Sequence, residues 1–272
     1  MIRKLPIPLA VLAATIIVAW CSSVGHAATA TTNADPSGAA IPTAPAGYRT
    51  VLSSDFNGHG LGRCWGAYTA NPISSSPTGA WVPSRVSVAD GMAVLSSFYD
   101  SQLGKWASGG MSSSSCVSLI YGIFEVRFKM QAARGVKYAI LLWPQTVRWP
   151  DGGEIDFGED QGGNRRHTTL SSSYGVNGVD HALAQRVIAG NFARWNTLKL
   201  VWTKGNLVEY LNGRRVARIS SPKVPSDPMT LDIQAETNTD CANVYYPCIN
   251  STTPARVDLD VDWAVAFAPI SR

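Results

Sequence analysis

Apolar residues recur at every second position through most of the chain, the period of a strand with one buried face. In Tyr121–Met130, the apolar residues Phe124, Val126, Phe128 and Met130 alternate with Glu125, Arg127 and Lys129. In the C-terminal run, Val257, Leu259, Val261, Trp263, Val265 and Phe267 alternate first with Asp258, Asp260 and Asp262 and then with small alanines. Leu207–Ile219 carries Asn212-Gly213 inside a β-rich run, a hairpin signal because both turn positions need positive φ. No stretch supports a helix longer than about two turns. Many short antiparallel strands in one domain predict an all-β fold, a sandwich of two curved sheets in which the exposed concave face of one forms a cleft.

The ends of the chain have a different texture. Residues 1–27 read as a secretory signal peptide, with Arg3 and Lys4 as the basic start, Ala10–Trp20 as the apolar stretch and Gly25-His26-Ala27 as a small-residue cleavage site. Cys21 raises lipidation as an alternative, but bulky Trp20 stands where a small residue is wanted. Residues 28–46 are Ala, Thr, Pro, Ser and Gly with almost no bulky apolar side chain, so a flexible leader is expected. Residues 47–272 contain no second linker or repeat and are expected to form a single domain, secreted, extracellular, monomeric and free of the membrane once the signal is cleaved.

Composition narrows the function classes. A chain of 272 residues with 45% hydrophobic and 15% charged residues excludes disorder and a predominantly membrane-embedded protein. Nine tryptophans is a large number, which places most of them in the core or a few on a surface that stacks against flat ligands such as sugar rings. The net charge of +4 falls by two when Arg3 and Lys4 leave, which gives no nucleic-acid footprint but would not repel an anionic polysaccharide. Without Cys21, four cysteines remain and allow three pairings; the simplest is Cys241–Cys248 with Cys64–Cys116, and no neighbouring histidine suggests zinc. His26, His59, His167 and His181 are dispersed and flank no serine elbow, and Gly162-Gly163 is followed by no Lys-Ser/Thr of a phosphate loop. No cofactor is expected. Asp258, Asp260 and Asp262 read as a solvated face, with a structural calcium ion or a substrate role as the alternatives.

The chemistry concentrates in Trp149-Pro150-Asp151-Gly152-Gly153-Glu154-Ile155-Asp156-Phe157-Gly158-Glu159-Asp160. Glu154 and Asp156 share one face of a strand, and Ile155 and Phe157 the other. Glu159 stands five residues after Glu154, so a regular strand would bury it; one extra residue at Phe157-Gly158, a β-bulge, restores parity. Three carboxyl groups on one surface cannot all ionise freely, which separates their pKa values and suits a nucleophile paired with a proton donor. Two carboxyls about 5–5.5 Å apart across a glycosidic bond would hydrolyse it with retention.

The run Glu154-Ile155-Asp156-Phe157-Gly158-Glu159 resembles the E-x-D-x-x-E signature of family 16 glycoside hydrolases, the laminarinase-like β-glucanases. Tyr121–Arg127 resembles the strand preceding the site in that family, Trp149-Pro150 with Gly153 its approach to the catalytic strand, and Trp195–Gly213 and Val261–Trp263 later strands. The resemblance implies a β-jelly-roll sandwich of the concanavalin type. It also implies Glu154 as nucleophile, Glu159 as general acid/base and Asp156 as the residue that tunes them. The chain departs from the family pattern at Lys137 and Leu141, where many members carry tryptophans, and at Ser173, where many carry histidine beside Tyr174-Gly175; the sugar platform is altered.

Trp149, Trp143 and Gln234 are the candidate substrate-binding residues, each with a purely structural role as its alternative. The expected function is endo-hydrolysis of a β-linked polysaccharide, β-1,3-glucan or mixed-linkage β-glucan. A marine-type or sulfated galactan as substrate, transglycosylation, and sugar binding without cleavage are the alternatives.

Overall fold

The computed structural model describes residues 36–69, 72–73, 76–242 and 246–270. The expected signal peptide and residues 28–35 of the leader lie outside the described residues. Two sheets make the fold. One has seven strands in the order Val179–Ala189, His167–Val176, Glu154–Glu159, Val136–Pro144, Met229–Thr237, Gly110–Ser112 and Gly66–Ala67. The second runs Arg214–Ser220, Asn206–Leu211, Asn196–Thr203, Gly122–Met130, Arg256–Pro269, Met92–Asp100, Lys105–Ser108, Ser76–Trp81 and Pro72–Ile73. Tyr48–Ser54 is added beside Arg256–Pro269, and Val86–Ala89 beside Met92–Asp100. Among the described residues pairing is antiparallel with one exception: Ser76–Trp81 runs parallel to Lys105–Ser108. Among the described residues the helical element is the 3-10 turn Pro83–Arg85, and no helix is long and apolar enough to cross a membrane.

Alternation builds the core as expected for most strands. Phe124, Val126, Phe128 and Met130 from one sheet join Tyr138, Ile140, Leu142, Ile155 and Phe157 from the other in a single buried cluster. The Phe128 and Tyr138 rings meet edge to face at 5.0 Å, tying the sheets together. Full burial of such side chains contributes about 1.5–3 kcal/mol each. Asn212 and Gly213 adopt positive φ, 50° and 81°, at the hairpin between Asn206–Leu211 and Arg214–Ser220.

The C-terminal strand departs from its expected single buried face. Val257, Leu259 and Val261 enter the main core, but the register against Gly122–Met130 shifts between Val261 and Trp263. Beyond the shift, Ala264 and Ala266 face the core, while Trp263, Val265 and Phe267 turn outward to join Ile123. Those large apolar side chains need cover, and residues 36–46, expected as flexible leader, supply it. Ile41 and Ala44 pack on them with Tyr48, Trp263 Nε1 donates to the Ala39 carbonyl at 2.9 Å, and Ser37 binds Asp262 and accepts from Arg127 Nε at 3.0 Å. The neighbouring aspartates are also engaged, Asp258 by Arg256 at 2.9 Å and Asp260 by Lys129 at 3.4 Å.

Both expected disulfides form, Cys64–Cys116 and Cys241–Cys248. The second closes the loop that presents Tyr246, whose carbonyl accepts from Asn238 Nδ2 at 2.9 Å.

Glu209 occupies a core-facing position between Leu207 and Leu211, fully buried, and neither carboxylate oxygen has a hydrogen-bond partner. Burial pushes its carboxyl well above the usual range. The unfolded chain loses this proton above about pH 4.3 while the folded chain keeps it, so the residue subtracts stability progressively as pH rises from that point toward the folded pKa. Glu209→Met is therefore expected to stabilise the fold by about 1–3 kcal/mol at pH 8, with the gain shrinking toward pH 4. Thermal unfolding of both proteins across that range is the check; identical melting at pH 8 would contradict the assignment of a strained, proton-holding carboxyl.

Candidate active site

The strand Glu154–Glu159 contains the bulge that the spacing of its acids requires. Against Val136–Pro144, Gly158 pairs with Ile140 and Asp156 with Leu141, leaving Phe157 as the extra residue. On the other side, the three-residue step from Asp156 to Glu159 spans only the two-residue step from Ser171 to Thr169. Parity is restored: Ile155 and Phe157 are buried in the core, while Glu154, Asp156 and Glu159 open together into a cleft of about 770 Å³. Gly158 is required for space. A Cβ there would lie 2.8 Å from Leu198 Cδ1 and 3.2 Å from Ile140 Cβ, so any larger residue would drive into the core.

Both ends of this strand are clamped. At the entry, after the cis Trp149–Pro150 bond, Gly153 has a φ of 73°, and a Cβ there would meet Pro225 Cγ at 2.5 Å. At the exit, the Glu159 carbonyl accepts from Thr168 and Thr169 Oγ1 at 3.1 and 3.2 Å. The next residue, Asp160, makes a buried ion pair with Arg165 at 2.7 Å, and Arg165 Nη2 donates to the Val136 carbonyl at 2.8 Å. The strand that carries Glu159 is thus pinned to the strand beside it.

The cleft floor is a grid set by register. Lys137, Ala139, Leu141 and Trp143 face outward from Val136–Pro144, and Thr230, Asp232, Gln234 and Glu236 from Met229–Thr237. One cross-strand row holds Asp156, Leu141 and Asp232; the next holds Glu159, Ala139 and Gln234; Lys137 pairs with Glu236. Adjacent strands are about 4.8 Å apart, so the rows carry polar groups from the acids across the sheet toward Tyr68, Trp81 and Tyr246, which also line the cleft.

Each acid has its own surroundings. Trp149 Nε1 donates to Glu154 Oε2 at 2.9 Å, and the Trp149 ring stacks on Trp143 with centroids 6.1 Å apart. Burial pushes the Glu154 carboxyl to about 7, against the opposing pull of the Trp149 hydrogen bond and with added repulsion from Glu159. Asp156 is held well above the usual carboxylate range by burial first and then by Glu154 and Glu159, although Ser171 Oγ donates to its Oδ2 at 3.0 Å. Lys137 Nζ lies 3.3 Å from Glu159 Oε1 and 3.2 Å from Glu236 Oε2. Burial pulls the Lys137 ammonium down, but Glu236 and Glu159 outweigh it and hold the pKa above the usual lysine value. Asp232 is pushed to about 6 by burial, with Tyr68 donating to its Oδ2 at 2.6 Å.

All the sequence-derived site residues thus meet in one cleft: Glu154, Asp156, Glu159, Trp143, Trp149 and Gln234. Gln234 is already engaged, its Nε2 donating to Glu236 Oε1 at 2.5 Å. Sequence reasoning missed Asp232 and Glu236, although their alternation with Leu231, Ile233 and Ala235 was a usable signal. Tyr68, Trp81 and Tyr246 arrive from distant segments and had none. Among the described residues, no group of three or more His, Cys, Asp or Glu is placed to hold a metal ion.

Comparison with known proteins matches residues 78–264 to the model of glycosyl hydrolases family 16. An endo-1,3-1,4-beta-glycanase, ExsH of Rhizobium meliloti (strain 1021), is 27% identical over 124 residues, 46% of this chain and 26% of that protein. The chain thus spans about a quarter of the length of the curated relatives it matches. Among solved structures, the endo-beta-1,3-glucanase from Pyrococcus furiosus superposes with a TM-score of 0.71 at 16% identity, covering 85% of this chain and 99% of that one. The laminarinase catalytic domain from Thermotoga maritima MSB8 gives a TM-score of 0.69 at 16% identity, covering 82% and 99%. These neighbours share the jelly-roll fold. With a family model matched across more than half its length, the chain belongs to glycosyl hydrolases family 16.

Proposed function

We propose that this chain is an exported endo-hydrolase that cleaves an uncharged β-glucan, β-1,3-linked or mixed-linkage, with retention of configuration. The observation that carries this reading is the bulge that brings Glu154, Asp156 and Glu159 to one cleft face. Glu159 protonates the glycosidic oxygen while Glu154 attacks the anomeric carbon. The resulting glycosyl–enzyme ester is then opened by a water molecule that Glu159 deprotonates. The Trp149 N–H orients one oxygen of Glu154 and leaves the other for attack. Asp156, biased toward its protonated form, keeps a third negative charge from accumulating beside them.

An uncharged polymer is favoured over a sulfated galactan by the charge balance of the cleft. Among the described lining residues, five are carboxylic acids and the cation, Lys137, is bound by two of them. The two curated relatives are named endo-1,3-1,4-beta-glycanases, which supports a glucan. Four cysteines paired in two disulfides fit an oxidising compartment, in keeping with export.

One observation favours the opposite division of roles. The Lys137 ammonium sits beside Glu159, while burial pushes Glu154 to about 7, a value that suits a proton donor. The kinetics of the two glutamine variants, given below, separate these assignments.

The substrate reading is tested by incubating the purified protein with laminarin, lichenan, agarose, carrageenan and xyloglucan and following the product anomer by NMR. Oligosaccharides from laminarin or lichenan, appearing first as the β anomer, are expected. Release from carrageenan or agarose alone would overturn the glucan assignment, and early α anomer would overturn retention. Saturable binding with no products would favour a binding protein, and products longer than the substrate would reveal transglycosylation.

A further inference from the structure

We propose that Lys137, braced by Glu236, is a positioning residue for Glu159, fixing one oxygen of its carboxyl so that the other is presented to the scissile bond. The inference rests on the reading of Glu159 as the proton donor.

Lys137 occupies a cleft-facing position in a strand whose other members are almost all apolar, yet its side chain is only 7% exposed. A buried ammonium is tolerated only when it is paired and hydrogen-bonded. Nζ meets that need twice, with Glu159 Oε1 at 3.3 Å and Glu236 Oε2 at 3.2 Å, and the Tyr246 ring covers it with its centroid 4.5 Å away. Glu236 is itself 5% exposed and is held through its other oxygen by Gln234 Nε2. The brace therefore runs Gln234–Glu236–Lys137–Glu159, with every link a direct contact.

Charge accounting explains why two carboxylates are needed. Lys137 and Glu236 cancel, so the trio is neutral when Glu159 carries its proton and carries one negative charge when it has given the proton up. With Glu159 as the sole partner, each protonation would strand an unpaired buried ammonium, a costly state. Glu236 removes that obstacle, and Lys137 can remain on Oε1 in both states. A purely structural ion pair would be complete with Glu236 alone; the second contact reaches the reacting group.

The test compares a β-glucan, whose leaving group needs a proton, with an aryl β-glycoside whose activated leaving group does not. In Lys137→Met, kcat/KM on the glucan, which reports formation of the ester, is expected to fall about 10–100-fold, the scale of a misplaced catalytic group. On the activated aryl glycoside kcat/KM should fall no more than about threefold, because ester formation there bypasses the proton donor. Lys137→Arg should recover part of the glucan rate. If Lys137→Met fails to fold, Lys137→Met/Glu236→Gln removes cation and counter-charge together and should show the same dependence on leaving group. Equal losses on both substrates, or none, would overturn the proposal. Glu159→Gln is run alongside: if it shows no dependence on leaving group, the proton-donor reading fails and the proposal with it. If Glu159→Gln shows the dependence and the Lys137 variants do not, the proposal alone falls.

Discussion

Replacing Glu154 by Gln is expected to lower kcat by at least about 10³-fold on every substrate, because in the proposed mechanism both steps pass through an ester to this residue, which the amide cannot form. Glu159→Gln should behave differently. Loss of the proton donor is expected to cost about 10²–10⁴-fold on a β-glucan and far less on an activated aryl glycoside. With the latter, azide should partly restore turnover by attacking the ester without a general base. If the dependence on leaving group followed Glu154 instead, the two roles would be exchanged. In the parent enzyme, kcat/KM should decline as pH falls through about 7, because the carboxyl of Glu154 is pushed there by burial and must be ionised to attack. A profile flat from pH 8 to pH 5 would be inconsistent with that carboxyl as the nucleophile.

The second large effect concerns the support of the site. Arg165→Met is expected to destabilise the fold by about 3–5 kcal/mol, because it leaves the Asp160 carboxylate buried without its cation. Asp160 and Arg165 are 3% and 1% exposed, so water cannot replace the missing partner. Asp160→Asn combined with Arg165→Met should recover much of the loss. Denaturant unfolding of the three proteins is the measurement; a single variant within about 1 kcal/mol of the parent, the scale of exposed ion pairs, would show that the pair contributes little.

Much of this architecture was legible in the spacing of residues. Glu154, Asp156 and Glu159 are separated by two and then three positions, and since side chains alternate with a period of two, their sharing a face required an inserted residue. The sequence could not reveal why the residue after the insertion must be glycine. That reason is the approach of Leu198 and Ile140, which come from other strands. The parity change at Asp262 was hidden because apolar residues stand at both parities beyond it, Ala264 and Ala266 as well as Trp263, Val265 and Phe267. Period-two counting chose the larger set, whereas the sheet packed the smaller one inward. Its consequence, a covered outer face, was equally invisible in residues 36–46, whose composition resembles a linker. Lys137 was visible only as a departure from a family pattern; its partners, Glu159 and Glu236, depend on register with two neighbouring strands, one of them nearly a hundred residues away.

The Cys241–Cys248 bridge bears on binding entropy. Tyr246 lies inside that small ring, and its carbonyl is anchored to Asn238. In the chain-entropy view, freedom of the loop is removed when the bond between the sulfurs forms, before any ligand arrives. A ligand entering the cleft therefore meets a wall whose ordering cost has already been met by oxidation, and less of its contact energy is lost to immobilising the protein. Under reducing conditions that cost would return to the binding step, so the same set of contacts would yield a weaker complex although no cleft carboxyl had changed.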